Sequence, residues 1–222
     1  MCGRFTLHSP QAQIAQEFGV ATLPLLNPRF NIAPTQPIAI VRLDPATQTR
    51  WAAVVRWGLI PSWASDPKIG QRMINARSET VADKPAFRAA FRRRRCLVPA
   101  DGYYEWQKTP AGKQPFLIHD PAGHLLALAG LWESWQAPDG SLVESCALLT
   151  TSANSVLAAI HDRMPVLLAA DQRDLWLDPA TPSPALQTLL APAPETALSA
   201  FPVSTRVNSP TFDDPRCLEP VA

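Results

Sequence analysis

No apolar run in the 222 residues approaches the roughly 20 that a membrane-spanning helix requires. The longest runs, such as Leu125 to Trp132, have the length of a strand, and no transmembrane helix is expected. The segment Met1-Cys2-Gly3-Arg4-Phe5 lacks the apolar stretch of a secretory signal, so the cytoplasm is the expected location. The four cysteines at 2, 96, 146 and 217 include no C-x-x-C pair, and the four histidines complete no zinc-finger spacing. No metal and no cofactor are therefore expected. Cys96-Leu97-Val98 and Cys146-Ala147-Leu148-Leu149 are apolar runs in which a cysteine reads as a small core residue of a reducing compartment. Internal repeats are absent as well.

Charge is nearly balanced overall, with a formal net of +1, yet it is unevenly spread. Residues 1 to 110 hold 15 Lys+Arg against 7 Asp+Glu, and residues 111 to 222 hold 5 against 12. Such a split suggests a polyanion-binding face built from the first half. Arg88 and Arg92 to Arg95 form its densest stretch, which reads equally as a solvated helix end complementing the helix dipole.

What the chain has in excess is proline. Its 24 prolines, roughly twice the usual share, interrupt the sequence too often for long helices. One short helix is predicted after Ser9-Pro10, with Ile14 and Phe18 as an apolar i, i+4 pair and Gly19 at its end. Further helical pattern is found at Pro85 to Phe91, Ser155 to Ile160, Asp171 to Trp176 and Ala185 to Leu190. Strands are predicted at Ile38 to Leu43, Trp51 to Trp57, Cys96 to Val98, Tyr103 to Gln107, Gln114 to Ile118, Leu125 to Trp132, Glu144 to Thr150 and Ala200 to Ser204. The sum is an α+β protein with a mainly antiparallel sheet. Pro179 to Pro194 reads as a surface connection around a weak helix, and Trp51, Trp57 and Trp106 as core.

Cys2 carries the most distinctive chemistry. Loss of Met1, expected before a small second residue, leaves a 1,2-aminothiol whose α-amine is roughly 10 to 20% unprotonated at pH 7. Such an amine attacks an aldehyde, and the adjacent thiol closes the resulting imine into a five-membered thiazolidine. A cysteine that merely follows the initiator is the bland alternative.

Asn75 follows a loop containing Pro67 and Gly70, where an amide can orient an amine or phosphate or simply form a turn. Glu105 shares a strand face with Tyr103, so it is either half-buried, with a carboxyl tuned for proton transfer, or solvent-facing. His161, between Ile160 and Asp162, is a proton carrier by type and a structural histidine by frequency.

Six segments together resemble one family. Met1-Cys2-Gly3-Arg4-Phe5, Phe30-Asn31-Ile32-Ala33-Pro34, Trp57-Gly58-Leu59-Ile60-Pro61-Ser62-Trp63, Ile74-Asn75-Ala76-Arg77-Ser78-Glu79, Asp101-Gly102-Tyr103-Tyr104-Glu105-Trp106 and Ile160-His161-Asp162-Arg163-Met164-Pro165 look like the SOS response-associated peptidase (SRAP) family. The likeness keeps the family's order from Met1 to about Val207. It implies one compact α+β domain over 1-222, built on twisted, mainly antiparallel sheets with short flanking helices. It implies an abasic-site-reactive protein of the DNA-damage (SOS) response that shields abasic sites in single-stranded DNA through a thiazolidine crosslink. Cys2 would be the nucleophile, with Asn75, Glu105 and His161 completing the site. Arg4 and Arg77 would hold phosphates, Pro34 and Trp63 would shape the DNA path, and Thr150 would contact DNA. It also implies a slow AP-lyase side reaction through the imine and a peptidase-like self-processing of the N-terminus. The expected partner is single-stranded DNA carrying an abasic site, met by a monomer at the nucleoid. Tyr103 stands where a tryptophan is common in such proteins, and the loop between Trp63 and Ile74 departs from some of them.

Two other readings remain open on the residues. A cysteine-type peptidase would use Cys2 with His161 on protein substrates and would need no free α-amine. A non-catalytic single-stranded DNA-binding module would bind normally without Cys2.

Overall fold

In the computed structural model of the chain, residues 2–24, 27–44, 46–110 and 112–221 are described. Their strands, in chain order, are β1 (Arg4–Leu7), β2 (Arg29–Ile32), β3 (Pro37–Asp44), β4 (Thr49–Trp57), β5 (Asn75–Arg77), β6 (Arg95–Ala100), β7 (Gly102–Thr109), β8 (Gly112–His119), β9 (Leu126–Gln136), β10 (Leu142–Ser152), β11 (Arg163–Pro165) and β12 (Ser199–Pro202). The helices are short, as the proline spacing requires: α1 (Gln11–Phe18), α2 (Arg88–Arg93), α3 (Ser155–Ala158), α4 (Arg173–Leu177) and α5 (Ser183–Thr188). No described helix is long and apolar enough to cross a membrane.

Two sheets carry the molecule. One is antiparallel throughout, in the order β12-β8-β7-β1-β2. The other runs β11-β10-β4-β3-β6-β9, and β9 also pairs with β10, so five of its strands close on themselves like a small barrel. The fold is thus α+β on mainly antiparallel sheets, with parallel pairing where β10 meets β4 and β5. Inside the closed sheet, Cys96 and Cys146 are free, fully buried and 3.7 Å apart at sulfur. Gly130 lies against them, where a Cβ would come within 2.8 Å of the Cys96 sulfur.

The long strand β10 organises what surrounds it. Along one edge it meets β4 at Ser145–Cys146 and then β5 at Leu148–Thr150, and along the other it meets β9 at Leu142–Leu148 and then β11 at Thr150–Ser152. The two sheets are joined through their cores, with Phe5 of β1 standing edge-on to Trp57 of β4 at 5.2 Å. Gln107 at the end of β7 also donates to the Ala159 carbonyl at 3.0 Å, tying the first sheet to the loop after α3.

Several local expectations are corrected. Helix α1 does end at Gly19, in the left-handed region at φ 65°, but Pro10 occupies its N-cap and no side chain caps it. Ser9 turns instead to Asp101, which accepts from both its hydroxyl and its amide. The helix predicted from Pro85 begins at Arg88, because Lys84 to Phe87 form hydrogen-bonded turns. Trp51 is exposed rather than core, with its ring near Arg42, while Trp57 is fully buried. Within the arginine cluster, Arg95 is 3% exposed and donates to the carbonyls of Phe91, Arg92, Trp176 and Asp178, closing the end of α2. Arg94 pairs with Glu133 at 2.6 Å, which leaves Arg88, Arg92 and Arg93 as the solvated members. The Pro179 to Pro194 stretch is also more than a surface connection, since Leu186, Leu189 and Leu190 are buried in the main core.

Candidate functional site

The sequence-predicted residues arrive from both sheets. Cys2 lies two residues before β1, whose antiparallel register on β7 sets Arg4 against Tyr104 and Phe5 against Tyr103. Alternation along β7 then sends Tyr103 and Glu105 to one face and Tyr104 to the other, where its hydroxyl donates to the Phe30 carbonyl at 2.7 Å. From the second sheet, Asn75 opens β5 and His161 lies in the turn that leads into β11.

Asn75 makes the direct link. Its side-chain Nδ2 donates to the Cys2 carbonyl at 2.8 Å. Its Oδ1 is buried and has no hydrogen-bond partner among the described residues. The strand start that carries it is itself held, because the Trp57 indole donates to the Ile74 carbonyl at 3.0 Å and Leu148 donates to the same oxygen at 2.9 Å. Leu59 donates to the Met73 carbonyl, and behind it Gly58 at φ 123° faces Gly70 so closely that a Cβ would lie 2.5 Å from the Gly70 oxygen.

Glu105 is 2% exposed, and burial pushes its carboxyl above the usual carboxylate range. The His161 Nε2 lies 4.0 Å from Glu105 Oε2. Burial lowers the imidazole, and its Nδ1 accepts the Arg163 backbone N–H at 3.0 Å. Asp162 also approaches Nδ1, at 2.9 Å, but that carboxylate is 86% exposed and free to swing, whereas the backbone donor is fixed. In the neutral ring the proton therefore sits on Nε2, the nitrogen turned toward Glu105. Cys2 is fully buried, its sulfur 3.9 Å from the Arg4 carbonyl. Burial and then the Glu105 charge push the thiol well up, so it is held as S–H.

The residues expected to line a nucleic-acid path are more dispersed. Arg77 is exposed at the end of β5, two residues from Asn75, and Trp63 is 60% exposed in the loop beyond β4. Pro34 heads a turn bound to the end of β4, where Thr35, at φ 72°, donates to the Trp57 carbonyl at 2.8 Å. Arg4 directs its guanidinium to Asn31 at 2.9 Å and to the carbonyls of Val207 and Asn208. Thr150 is fully buried in β10, its hydroxyl 3.5 Å from the Ala76 carbonyl.

Sequence reasoning gave no role to Arg163 or Glu79, although both lie in the quoted motifs. Arg163 forms a two-pronged pair with Glu79 and donates to the Thr150 carbonyl at 2.6 Å, which fixes the backbone that orients His161. The signal that could have found them is opposite charge in two of the quoted motifs. Among the described residues no three His, Cys, Asp or Glu side chains converge as metal ligands. A cavity of about 710 Å³, lined by residues such as Leu126, Leu168 and Leu189, contains none of the four clustered residues.

These features define a class: a two-sheet α+β protein in which a buried cysteine beside the chain start is held among an amide, a carboxylate and an imidazole. Residues 1–210 match the family model for SOS response associated peptidases (SRAP), and the chain belongs to that family. It is 42% identical over 224 residues to the abasic site processing protein YoqW of Bacillus subtilis, covering 99% of each chain. The abasic site processing protein HMCES of Gallus gallus is 34% identical over 206 residues, spanning 82% of this chain and 61% of that one. A solved structure from Bacteroides thetaiotaomicron superposes with a TM-score of 0.90 over 100% of both chains at 24% identity, which shows the fold. A second, from Bordetella bronchiseptica, gives 0.80 at 26% identity over 91% of this chain and 100% of that one.

Proposed function

We propose that this protein captures abasic sites in single-stranded DNA by forming a thiazolidine between the sugar aldehyde and Cys2, once Met1 has been removed. The observation that carries the reading is the Asn75 bond to the Cys2 carbonyl, which pins the nucleophilic residue beside Glu105. Relatives named for abasic site processing, matched over nearly the whole chain, support the substrate.

The abasic sugar is mostly a closed hemiacetal. His161, with its proton on Nε2, hydrogen-bonds to the ring oxygen as the ring opens, and the proton lost by the anomeric hydroxyl reaches that oxygen through water. Glu105 takes a proton from the α-ammonium, the freed amine adds to the aldehyde carbon, and the departing hydroxyl leaves as water with the proton Glu105 returns. The cationic imine that results lies against a carboxylate in a water-poor setting, where charge stabilisation is strong. Asn75 contributes by position, its Oδ1 available to accept from the amine or a sugar hydroxyl. Exposed Arg77 holds a backbone phosphate and Trp63 stacks a flanking base. Arg4 and Thr150 act from behind, Arg4 through its bonds to Asn31 and the chain near Val207, Thr150 through β5.

The thiol's surroundings argue against the peptidase reading. A peptidase cysteine is activated by a neighbouring base or a lowered pKa. Here burial and Glu105 both oppose the thiolate, and the imidazole Nε2 faces the carboxylate.

The test is denaturing electrophoresis of protein incubated with an oligonucleotide carrying one abasic site, with Met1 loss checked by intact mass. A shifted band that requires both the abasic site and Cys2, and that disappears in Cys2→Ala, is expected. Absence of the band from Met1-free wild type would overturn the proposal.

A further inference from the structure

Tyr103 is a residue of this neighbourhood for which the capture chemistry above has no use. Its side chain is fully buried on the same face of β7 as Glu105, and Phe5, three residues beyond Cys2, is its cross-strand partner. Its hydroxyl oxygen has no hydrogen-bond partner among the described residues. A buried hydroxyl left unpaired is costly, and phenylalanine would fill the same space without the penalty. Tyr104, one residue on, shows the ordinary solution, its hydroxyl bonded to Phe30.

Ring closure supplies the missing acceptor. The imine formed by the α-amine is a cation, and the Cys2 thiol must add to its carbon. The S–H proton passes to the Glu105 carboxylate, the S–C bond forms, and the C=N π pair settles on nitrogen. The products are a neutral thiazolidine nitrogen and a protonated Glu105, so charge and protons balance. During that step negative charge develops on a sulfur enclosed by protein. The Cys2 thiol points toward the Arg4 carbonyl, an acceptor that cannot help a thiolate, so the sulfur must turn away from it to reach the imine carbon. Burial, and after it the nearness of Cys2, pushes the phenol well up, so it stays protonated and always a donor.

We propose that the Tyr103 hydroxyl donates a hydrogen bond to the Cys2 sulfur as the thiol closes the thiazolidine ring. The proposal rests on the capture reading and assigns the second half of that reaction a residue of its own. Tyr103 is thereby a catalytic donor, distinct from the proton carriers Glu105 and His161.

The experiment separates the two halves on Met1-free protein and an abasic-site oligonucleotide. Borohydride trapping measures imine formation, and the band that survives denaturation without borohydride measures ring closure. In Tyr103→Phe, trapping is expected at the wild-type rate, closure about tenfold slower, and thermal stability equal or higher, since the unpaired hydroxyl is gone. Closure at the wild-type rate in a folded Tyr103→Phe protein would overturn the proposal. The chain has two tyrosines, so replacing both with a ring-fluorinated tyrosine, a stronger donor, gives a second measurement that needs no change of shape. Faster closure is expected from it, and unchanged or slower closure counts against the donor role. A wild-type protein that forms neither trapped imine nor stable adduct would instead refute the capture reading itself.

Discussion

Glu105 is where burial has its clearest consequence for rate. A carboxylate at 2% exposure is desolvated, the proton is held more tightly, and the group stays neutral at pH values where an ordinary glutamate, near 4.3, has ionised. In the proposed capture the carboxylate takes a proton from the α-ammonium. The rate should therefore climb with pH from an acid limb set above the usual carboxylate range, and rise again as the amine deprotonates near 7.7 to 8.0. In Glu105→Gln the acid limb should vanish and the rate near neutrality should fall by about 100-fold, read from single-turnover crosslinking between pH 4.5 and 8.5. An unchanged acid limb in the variant would place that ionisation elsewhere. At the same scale, residue type told part of this from the sequence: the shared face of Tyr103 and Glu105 was legible. Exposure was not, since Trp51 and Trp57 have the same composition around them and opposite fates.

Among elements, the short ones carry the site. Strands β1, β2, β5 and β11 are three or four residues long and were not predicted, whereas the long alternating strands around them were. The physical reason is that a segment such as Asn75-Ala76-Arg77 has no periodicity to read and becomes a strand because the exposed edge of β10 offers it hydrogen bonds. Position along that edge is then set by contacts behind it. Gly58 at φ 123° lets the chain pass within touching distance of Gly70, and that crossing supports Met73 to Asn75. Gly58→Ala adds a Cβ 2.5 Å from a backbone oxygen in a conformation alanine rarely adopts. It should destabilise the fold by about 2 kcal/mol or more in urea titration and slow crosslinking in the fraction that remains folded. A loss under 0.5 kcal/mol would show that the loop relaxes freely.

For the whole molecule, charge is the quantity that matters to a polyanion. The basic first half was read as the binding side, and part of its count is spent internally. Arg95 is buried among carbonyls, Arg94 pairs with Glu133, and Arg4 binds the chain near Val207. Exposed Arg77 remains beside Asn75. Affinity for single-stranded DNA should fall linearly on a log-log plot against salt, and Arg77→Ala should reduce that slope by roughly 0.7, the contribution of one phosphate contact on a single strand. A variant with wild-type slope would remove Arg77 from the phosphate path. The fold class followed from pattern alone, because proline frequency forbids long helices and short strand-length runs between turns favour antiparallel sheets. The chemistry proposed for Cys2 follows from covalent structure, since, once Met1 is lost, an amine and a thiol on one residue need no fold to be adjacent. What the tertiary structure decided is which distant groups share its environment. Positions 75 and 105 lie in two different sheets, with 2 and 161 just before strands of one and the other, and their separation is set by strand register and by the contact between Phe5 and Trp57. Those pairings depend on long-range hydrogen bonds and packing, which no local window of sequence contains.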